Sequence, residues 1–249
     1  MKYGICHLGV VAVRAEKDDR SEIVSQLLYG DTYKILDFQK KWCRIRIDVD
    51  QYEGWISKNQ FQEISVYDWK ALSAQQNNFS TDLISHCHLE NDLPFPIPLG
   101  SNLNALEILK HKHHGASNNQ QKDRTELIKI AYQYLNAPYL WGGKSPLGID
   151  CSGFTQMVYR INGYSLFRDA SQQAEQGQTL SFIEESKPGD LAFFDNEEGA
   201  IIHVGILLEN HRIIHAHGKV RIDAIDQTGI YNKELQTHSH KLRMIKSIL

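Results

Sequence analysis

An α+β fold is what the sequence predicts, and three observations predict it. Residues 1–63 carry short runs of β-branched and aromatic residues separated by turn clusters. Residues 121–163 carry two apolar stripes at helical spacing, and residues 190–225 return to strand-like runs joined by short turns. Helices followed by antiparallel strands, behind a block of short strands, form an α+β pattern. A chain of 249 residues holds one large domain or two to three small ones.

Within residues 1–63, the runs 10–14, 33–38, 42–47 and 54–57 read as strands. Residues 42–47 alternate bulky and polar side chains, as a half-buried antiparallel strand does. Strands this short and this closely spaced suggest a small barrel. Residues 64–120 read as a second, degenerate β-rich unit or a linker. Pro94, Pro96 and Pro98 exclude a long helix there. His86, His88, His111, His113 and His114 crowd this stretch beside Cys87, but no pair has zinc-finger spacing. They read as a solvated loop and a polar helix end, and no metal is expected. The polar run 115–121 reads as an exposed linker.

Residues 121–249 form the third segment. Leu127, Ile130, Ala131, Tyr134 and Leu135 share one face of a helix that Pro138 ends. Phe154, Met157, Val158 and Ile161 mark a second helix, closing near Gly163. Residues 169–178 read as a short helix. Residues 191–194 then form a strand, 203–208 and 212–216 a hairpin, and 220–225 a further strand.

Composition narrows the function. Lys and Arg total 27 against 30 Asp and Glu, so the chain lacks the basic excess that nucleic acid binding needs. Mean hydropathy is −0.42, and no apolar run approaches the ~20 residues of a membrane span. The first residues, Met1 to Arg20, contain no apolar signal-peptide core, so a cytoplasmic chain is expected. A monomer is expected. Four cysteines without CxxC spacing make no disulfide framework, and Cys6 and Cys43 read as small buried hydrophobes. No cofactor is expected, since neither a glycine-rich phosphate loop nor HExxH occurs.

The chemistry concentrates at Tyr139–Lys144 and at 148–154, which reads Gly-Ile-Asp-Cys-Ser-Gly-Phe. Asp150 can cap a helix beginning at Cys151. A cysteine in a first helical turn sits beside unpaired N–H groups at the positive end of the dipole. That placement is expected to lower the thiol pKa, and the same N–H groups suit an oxyanion. Gly142, Gly143 and Gly153 suit close approach of backbone or substrate. His203 and His215 fall on the two arms of the predicted hairpin, and both can face the cysteine helix. His203 is then the natural base and His215 the residue that orients it.

Asp150-Cys151-Ser152-Gly153-Phe154, His203-Val204-Gly205-Ile206 and His215 resemble the NlpC-type bacterial cell-wall cysteine peptidases. Pro138-Tyr139-Leu140-Trp141-Gly142-Gly143 also fits that family's pattern, and the likeness spans residues 124–246. The resemblance implies a C-terminal papain-like peptidase domain that cleaves peptidoglycan stem peptides, with Cys151, His203 and His215 catalytic. Residues 1–63 resemble the bacterial SH3-like barrel that precedes this domain in one subgroup, some members having two barrels. That subgroup comprises γ-D-glutamyl-L-diamino acid endopeptidases, which act on peptides with a free N-terminal L-Ala. A role in murein recycling follows from that substrate.

A bound alanine ammonium must meet carboxylates or hydroxyls. Asp150 and Ser152 flank the nucleophile and can supply both. The resemblance adds Glu22 and Tyr52 from the barrel, with Asp31 competing for the place of Glu22. It also adds Tyr139 and Trp141, and Asp169 as a weaker candidate, because Ala170 stands where relatives carry serine. The alternatives are a secreted hydrolase of intact peptidoglycan, a non-catalytic wall-binding protein, and a permuted acyltransferase. In the last of these the histidine precedes the cysteine, and here Cys151 comes first.

Overall fold

A computed structural model of the chain describes residues 2–249. It divides into two compact units. The first runs to Gln121 and takes in 141–146; the second comprises 122–140 and 147–249.

The first unit begins with seven strands: β1 (Lys2–Ile5), β2 (Val10–Arg14), β3 (Ile23–Leu28), β4 (Thr32–Phe38), β5 (Trp42–Ile47), β6 (Glu53–Ser57) and β7 (Glu63–Ile64). They form one antiparallel sheet in the order β3-β2-β6-β5-β4-β1-β7. The alternation along β5 buries Cys43, Ile45 and Ile47 and turns Arg44 outward. These residues join Cys6, Val11, Val13, Leu27, Tyr33 and Ile56 in one core. Asp31 is buried and accepts a hydrogen bond from the Leu28 N–H at 2.9 Å, so its carboxylate serves the turn before β4.

Where residues 64–120 read as a degenerate β-rich unit or a linker, residues 66–118 carry short strands and two short helices. Helix α1 (Val66–Ala74) is followed by β8 (Phe79–Ser80), β9 (Ile84–His88), β10 (Pro94–Pro98), α2 (Leu106–Leu109), β11 (Lys112–His113) and β12 (Ser117–Asn118). These strands make one sheet in the order β10-β9-β11 and the pair β12-β8, too few and too short to close. The three prolines lie on the outer strand β10, where missing N–H donors do least harm. Leu72, Cys87, Ile97 and Leu103 share a core with Ile5 and Tyr29 of the preceding strands, which ties the segment to its neighbour. The histidines there have local partners. His113 pairs with Ser85 at 2.8 Å, His111 with the Tyr29 hydroxyl at 3.1 Å, and His88 lies 3.6 Å from Asp92.

Strand β13 (Lys144–Ser145) also belongs to this unit, although a single boundary at 121 was expected. Gly142 explains the excursion. Its φ is +77°, and a Cβ there would fall 2.1 Å from the Ile23 carbonyl oxygen. Only glycine permits that turn and that approach. The Lys144 N–H then donates to Gln26 at 2.7 Å.

The second unit contains α3 (Arg124–Gln133), capped by Asp123, then β14 (Gly148–Ile149), α4 (Cys151–Ile161) and α5 (Ala170–Gln173). Where a helix over 169–178 was expected, α5 is a single turn. It gives way to β15 (Gln178–Leu180), which pairs with the last strand. Strands β16 (Leu191–Asp195), β17 (Ile201–Leu208), β18 (Arg212–His217), β19 (Lys219–Ile225), β20 (Gly229–Asn232) and β21 (Thr237–Ser247) follow. They pair antiparallel in chain order, and β21 returns between β16 and β20, which closes the ring. Every residue of α4 is buried, and the helix packs on β17 and β18. No helix among the described residues is long and apolar enough to cross a membrane.

Candidate active site

Helix α4 fixes the cysteine. The Asp150 carboxylate accepts the Gly153 N–H at 2.7 Å, a side-chain cap that starts the helix at Cys151. Both Asp150 oxygens are also held by Arg168: Nη1 donates to Oδ1 at 3.0 Å and Nη2 to Oδ2 at 2.6 Å. Arg168 Nη1 donates to the Ser152 hydroxyl at 2.9 Å as well. This fork-to-fork pair is buried, with side chains 1% and 8% exposed. Asp150 and Ser152 therefore flank the cysteine as expected, and both are oriented by the Arg168 guanidinium.

The thiol departs from expectation too. Burial, and then the charge of Asp150, push Cys151 up to about 12. Hydrogen bonds from the Val204 and Ser152 backbone and the charge of Arg168 pull it down but do not win. The helix start supplies N–H groups, yet desolvation of a thiolate at a site 7% exposed outweighs them.

The histidines lie on one face of the sheet. Gly205 is opposite His215 in the β17–β18 register, so His203 and His215 are diagonal neighbours. His203 Nε2 lies 2.8 Å from His215 Nδ1. On β19, Ile213 is opposite Asp223, which makes His215 and Asp223 the next diagonal pair, with Nε2 3.0 Å from Oδ2. All three side chains are buried. Arg221 Nη2 donates to the other Asp223 oxygen at 2.9 Å.

This chain fixes the tautomers. Burial alone raises the Asp223 pKa, but hydrogen bonds from His215 and Arg221 outweigh it and hold the carboxyl below its usual range. An ionised carboxylate only accepts, so His215 Nε2 bears the proton. Burial lowers the His215 pKa despite Asp223, so its Nδ1 is a bare lone pair that accepts from His203 Nε2. His203 Nδ1 is then the ring nitrogen left to take a proton. Burial, then the neighbouring imidazoles of His215, His240 and His217, hold His203 neutral and well below its ordinary value.

Of the other expected residues, Tyr139 stands beside the thiol. Its hydroxyl is pushed up to about 12 by burial first, then by the charges of Cys151 and Asp150. Its N–H donates to Gly218 at 3.0 Å. Asp169 begins α5, and its N–H donates to Gln172 at 3.3 Å. In the first unit, the Trp141 indole N–H donates to Glu22 at 2.5 Å, and Tyr52 packs against the barrel core. Sequence reasoning missed Arg168, Asp223 and His240. Asp223 had a signal: it is a carboxylate at an inward position of an alternating strand. Among the described residues no group of metal-type side chains is placed to hold an ion.

The chain matches the NlpC/P60 family over residues 136–239 and the bacterial SH3 domain over residues 9–61. It is 31% identical over 241 residues to a gamma-D-glutamyl-L-lysine dipeptidyl-peptidase of Bacillus subtilis, covering 86% of this chain and 79% of that protein. It is 27% identical over 259 residues to dipeptidyl-peptidase 6 of Lysinibacillus sphaericus, covering 90% and 92%. A crystal structure of an NlpC/P60 family protein from Bacillus cereus superimposes with a TM-score of 0.80 over 99% of both chains, at 15% identity, a likeness of fold alone. Similarity sustained along most of the chain, together with the cysteine helix set against the histidine strands, makes this protein a member of the NlpC/P60 family, a cell-wall cysteine peptidase of papain-like fold with an N-terminal SH3-like domain.

Proposed function

We propose that this peptidase hydrolyses the γ-D-glutamyl bond to the diamino acid in peptidoglycan stem peptides that carry a free N-terminal L-Ala. The observation that carries the reading is the 31% identity, over most of both chains, to a gamma-D-glutamyl-L-lysine dipeptidyl-peptidase. A dipeptidyl-peptidase counts from a free terminus. The substrate in this reading is a peptide already released from the sugar strands, and we propose that the enzyme serves murein recycling in the cytoplasm.

Cys151 is the nucleophile in this reading, His203 the base and His215 its orienter. The thiol proton passes to His203 Nδ1 as sulfur attacks the γ-carbonyl carbon. The tetrahedral oxyanion is met by N–H groups at the start of α4. Collapse breaks the C–N bond, and His203 returns the proton to the leaving amine. Water, deprotonated by the same imidazole, then hydrolyses the thioester and frees Cys151. Asp223 favours the imidazolium through His215, because a negative charge at the end of the chain offsets the positive one at its start.

The test compares kcat/KM for one L-Ala-γ-D-Glu-diamino acid peptide with a free and with an acetylated alanine amine, using wild type and Cys151→Ala. A pocket that pairs an ammonium loses roughly 2–5 kcal/mol when its buried charge partner is removed, which is about 30-fold to several thousand-fold in rate. Equal rates for the two peptides would favour a hydrolase of intact wall. A folded Cys151→Ala protein that still turns over would remove the nucleophile.

A further inference from the structure

Two more histidines complete a cluster around the proposed base. The His240 ring on β21 lies on the face of His203, with centroids 4.2 Å apart and planes 27° from parallel. His217 on β18 meets His240 edge-on at 4.9 Å. Phe194 on β16 approaches both His203 and His240, at 5.7 Å and 5.9 Å. Ser239 Oγ lies 2.8 Å from His240 Nδ1 and restrains the ring from its own strand. The nitrogen that His203 offers to the thiol depends on the rotation of its ring. Its Nε2 bond to His215 fixes one edge, and the two aromatic neighbours confine its faces.

We propose that His240 is a positioning residue for the general base: its ring holds the His203 imidazole in the plane that keeps Nε2 on His215 and presents a π-face to the imidazolium formed in the reaction. The proposal rests on the assignment of His203 as base. The groups that face His240 are His203 on β17, His215 and His217 on β18 and Asp223 on β19. Opposite it on β20 is the apolar Ile230, and along its own strand Arg243 pairs with Asp195 of β16 at 3.7 Å, while Lys241 is opposite Asp195 in the sheet. Burial and the two β18 imidazoles bring His240 down to about 4 against the pull of Asp223. The ring is therefore uncharged at neutral pH and does not compete for the thiol proton. An uncharged aromatic face beside a desolvated cation favours it.

Three substitutions separate ring from charge. His240→Ala removes the ring, His240→Phe keeps a ring that cannot titrate, and His240→Arg sets a permanent charge beside His203. The expected results are a kcat about tenfold lower for His240→Ala with KM within about twofold, near wild-type kcat for His240→Phe, and a larger loss for His240→Arg than for His240→Ala. Thermal unfolding of each variant reports folding. A His240→Ala enzyme with full kcat, a His240→Phe enzyme as slow as His240→Ala, or an unimpaired His240→Arg enzyme would each overturn the proposal. His203→Ala is measured alongside. If it remains active, the base assignment fails; if it is inactive while His240→Ala is not, only the positioning role fails.

Discussion

Gly205 faces His215 across the β17–β18 hairpin so closely that a Cβ on Gly205 would lie 2.8 Å from the His215 Cβ. The same added carbon would lie 2.7 Å from Ile213 Cδ1. The isoleucine tip can swing away, but the His215 Cβ is fixed to its backbone. The glycine thus provides the room in which His215 leans toward His203. Gly205→Ala is expected to displace His215, stretch the 2.8 Å bond to His203 and lower kcat at least about tenfold, with KM little changed. Overpacking at this site is expected to cost about 1–3 kcal/mol in urea unfolding. Full activity in the alanine variant would show that the hairpin has slack.

Asp223 sets the direction in which protons sit along the histidine chain. Asparagine is nearly isosteric but can turn an N–H₂ toward His215. His215 would then carry its proton on Nδ1, and His203 would be driven to hold one on Nδ1, where the thiol proton must go. Asp223→Asn is expected to lower kcat by about 10²-fold or more, without comparable loss of substrate binding. The check is kcat and KM at several pH values, with NMR of the imidazole nitrogens reporting the tautomers. Unchanged nitrogen shifts in the variant would contradict the relay.

What the sequence revealed and what it hid divide along contact range. The strand of residues 42–47 and the hairpin around Asn210 follow from local alternation, and β5, β17 and β18 lie there. Cys151 at a helix start follows from Asp150 and the apolar stripe of α4, which are local signals as well. Arg168 lies 18 positions from its partner Asp150, and His240 lies 37 positions from His203, on whose face its ring stacks, so no short window along the chain joins them. The thiol's direction of shift was misread for the same reason. Dipole and N–H groups are visible in a motif, whereas the burial that outweighs them comes from strands far along the chain. The excursion of 141–146 was equally hidden, because Gly142 announces a turn but not the carbonyl of Ile23 against which it packs.

Arg168 and Asp150 form a buried pair of opposite charges joined by two parallel hydrogen bonds. Arg168→Met is expected to destabilise the protein by about 3–5 kcal/mol, since the buried Asp150 carboxylate loses the guanidinium that offsets its charge and the α4 cap is disturbed. Arg168→Lys keeps the charge but not the planar fork, and should fall between wild type and methionine. Urea midpoints measured at pH 7 order the three proteins. If lysine matches arginine, the bidentate geometry contributes nothing.

The thiol and His203 together predict how the site responds to pH. The thiol is held up to about 12 and His203 well below its usual value, so both are neutral at rest. A preformed thiolate–imidazolium pair would react with iodoacetamide at a rate that is flat from mildly acidic pH upward. A neutral pair instead gives a rate that climbs about tenfold per pH unit from pH 6 to pH 9 and has no acid plateau, because each unit multiplies the thiolate fraction tenfold. Stability carries the same signature. The thiol's folded value lies above its unfolded value of 9.0, so its contribution is complete below pH 9.0 and is lost as pH rises from there toward 12. Cys151→Ala should therefore lose less stability than wild type between those limits in otherwise matched unfolding experiments. An alkylation rate that is constant between pH 6 and pH 8 would mean that the resting pair is ionic, and that attack begins from a thiolate already formed.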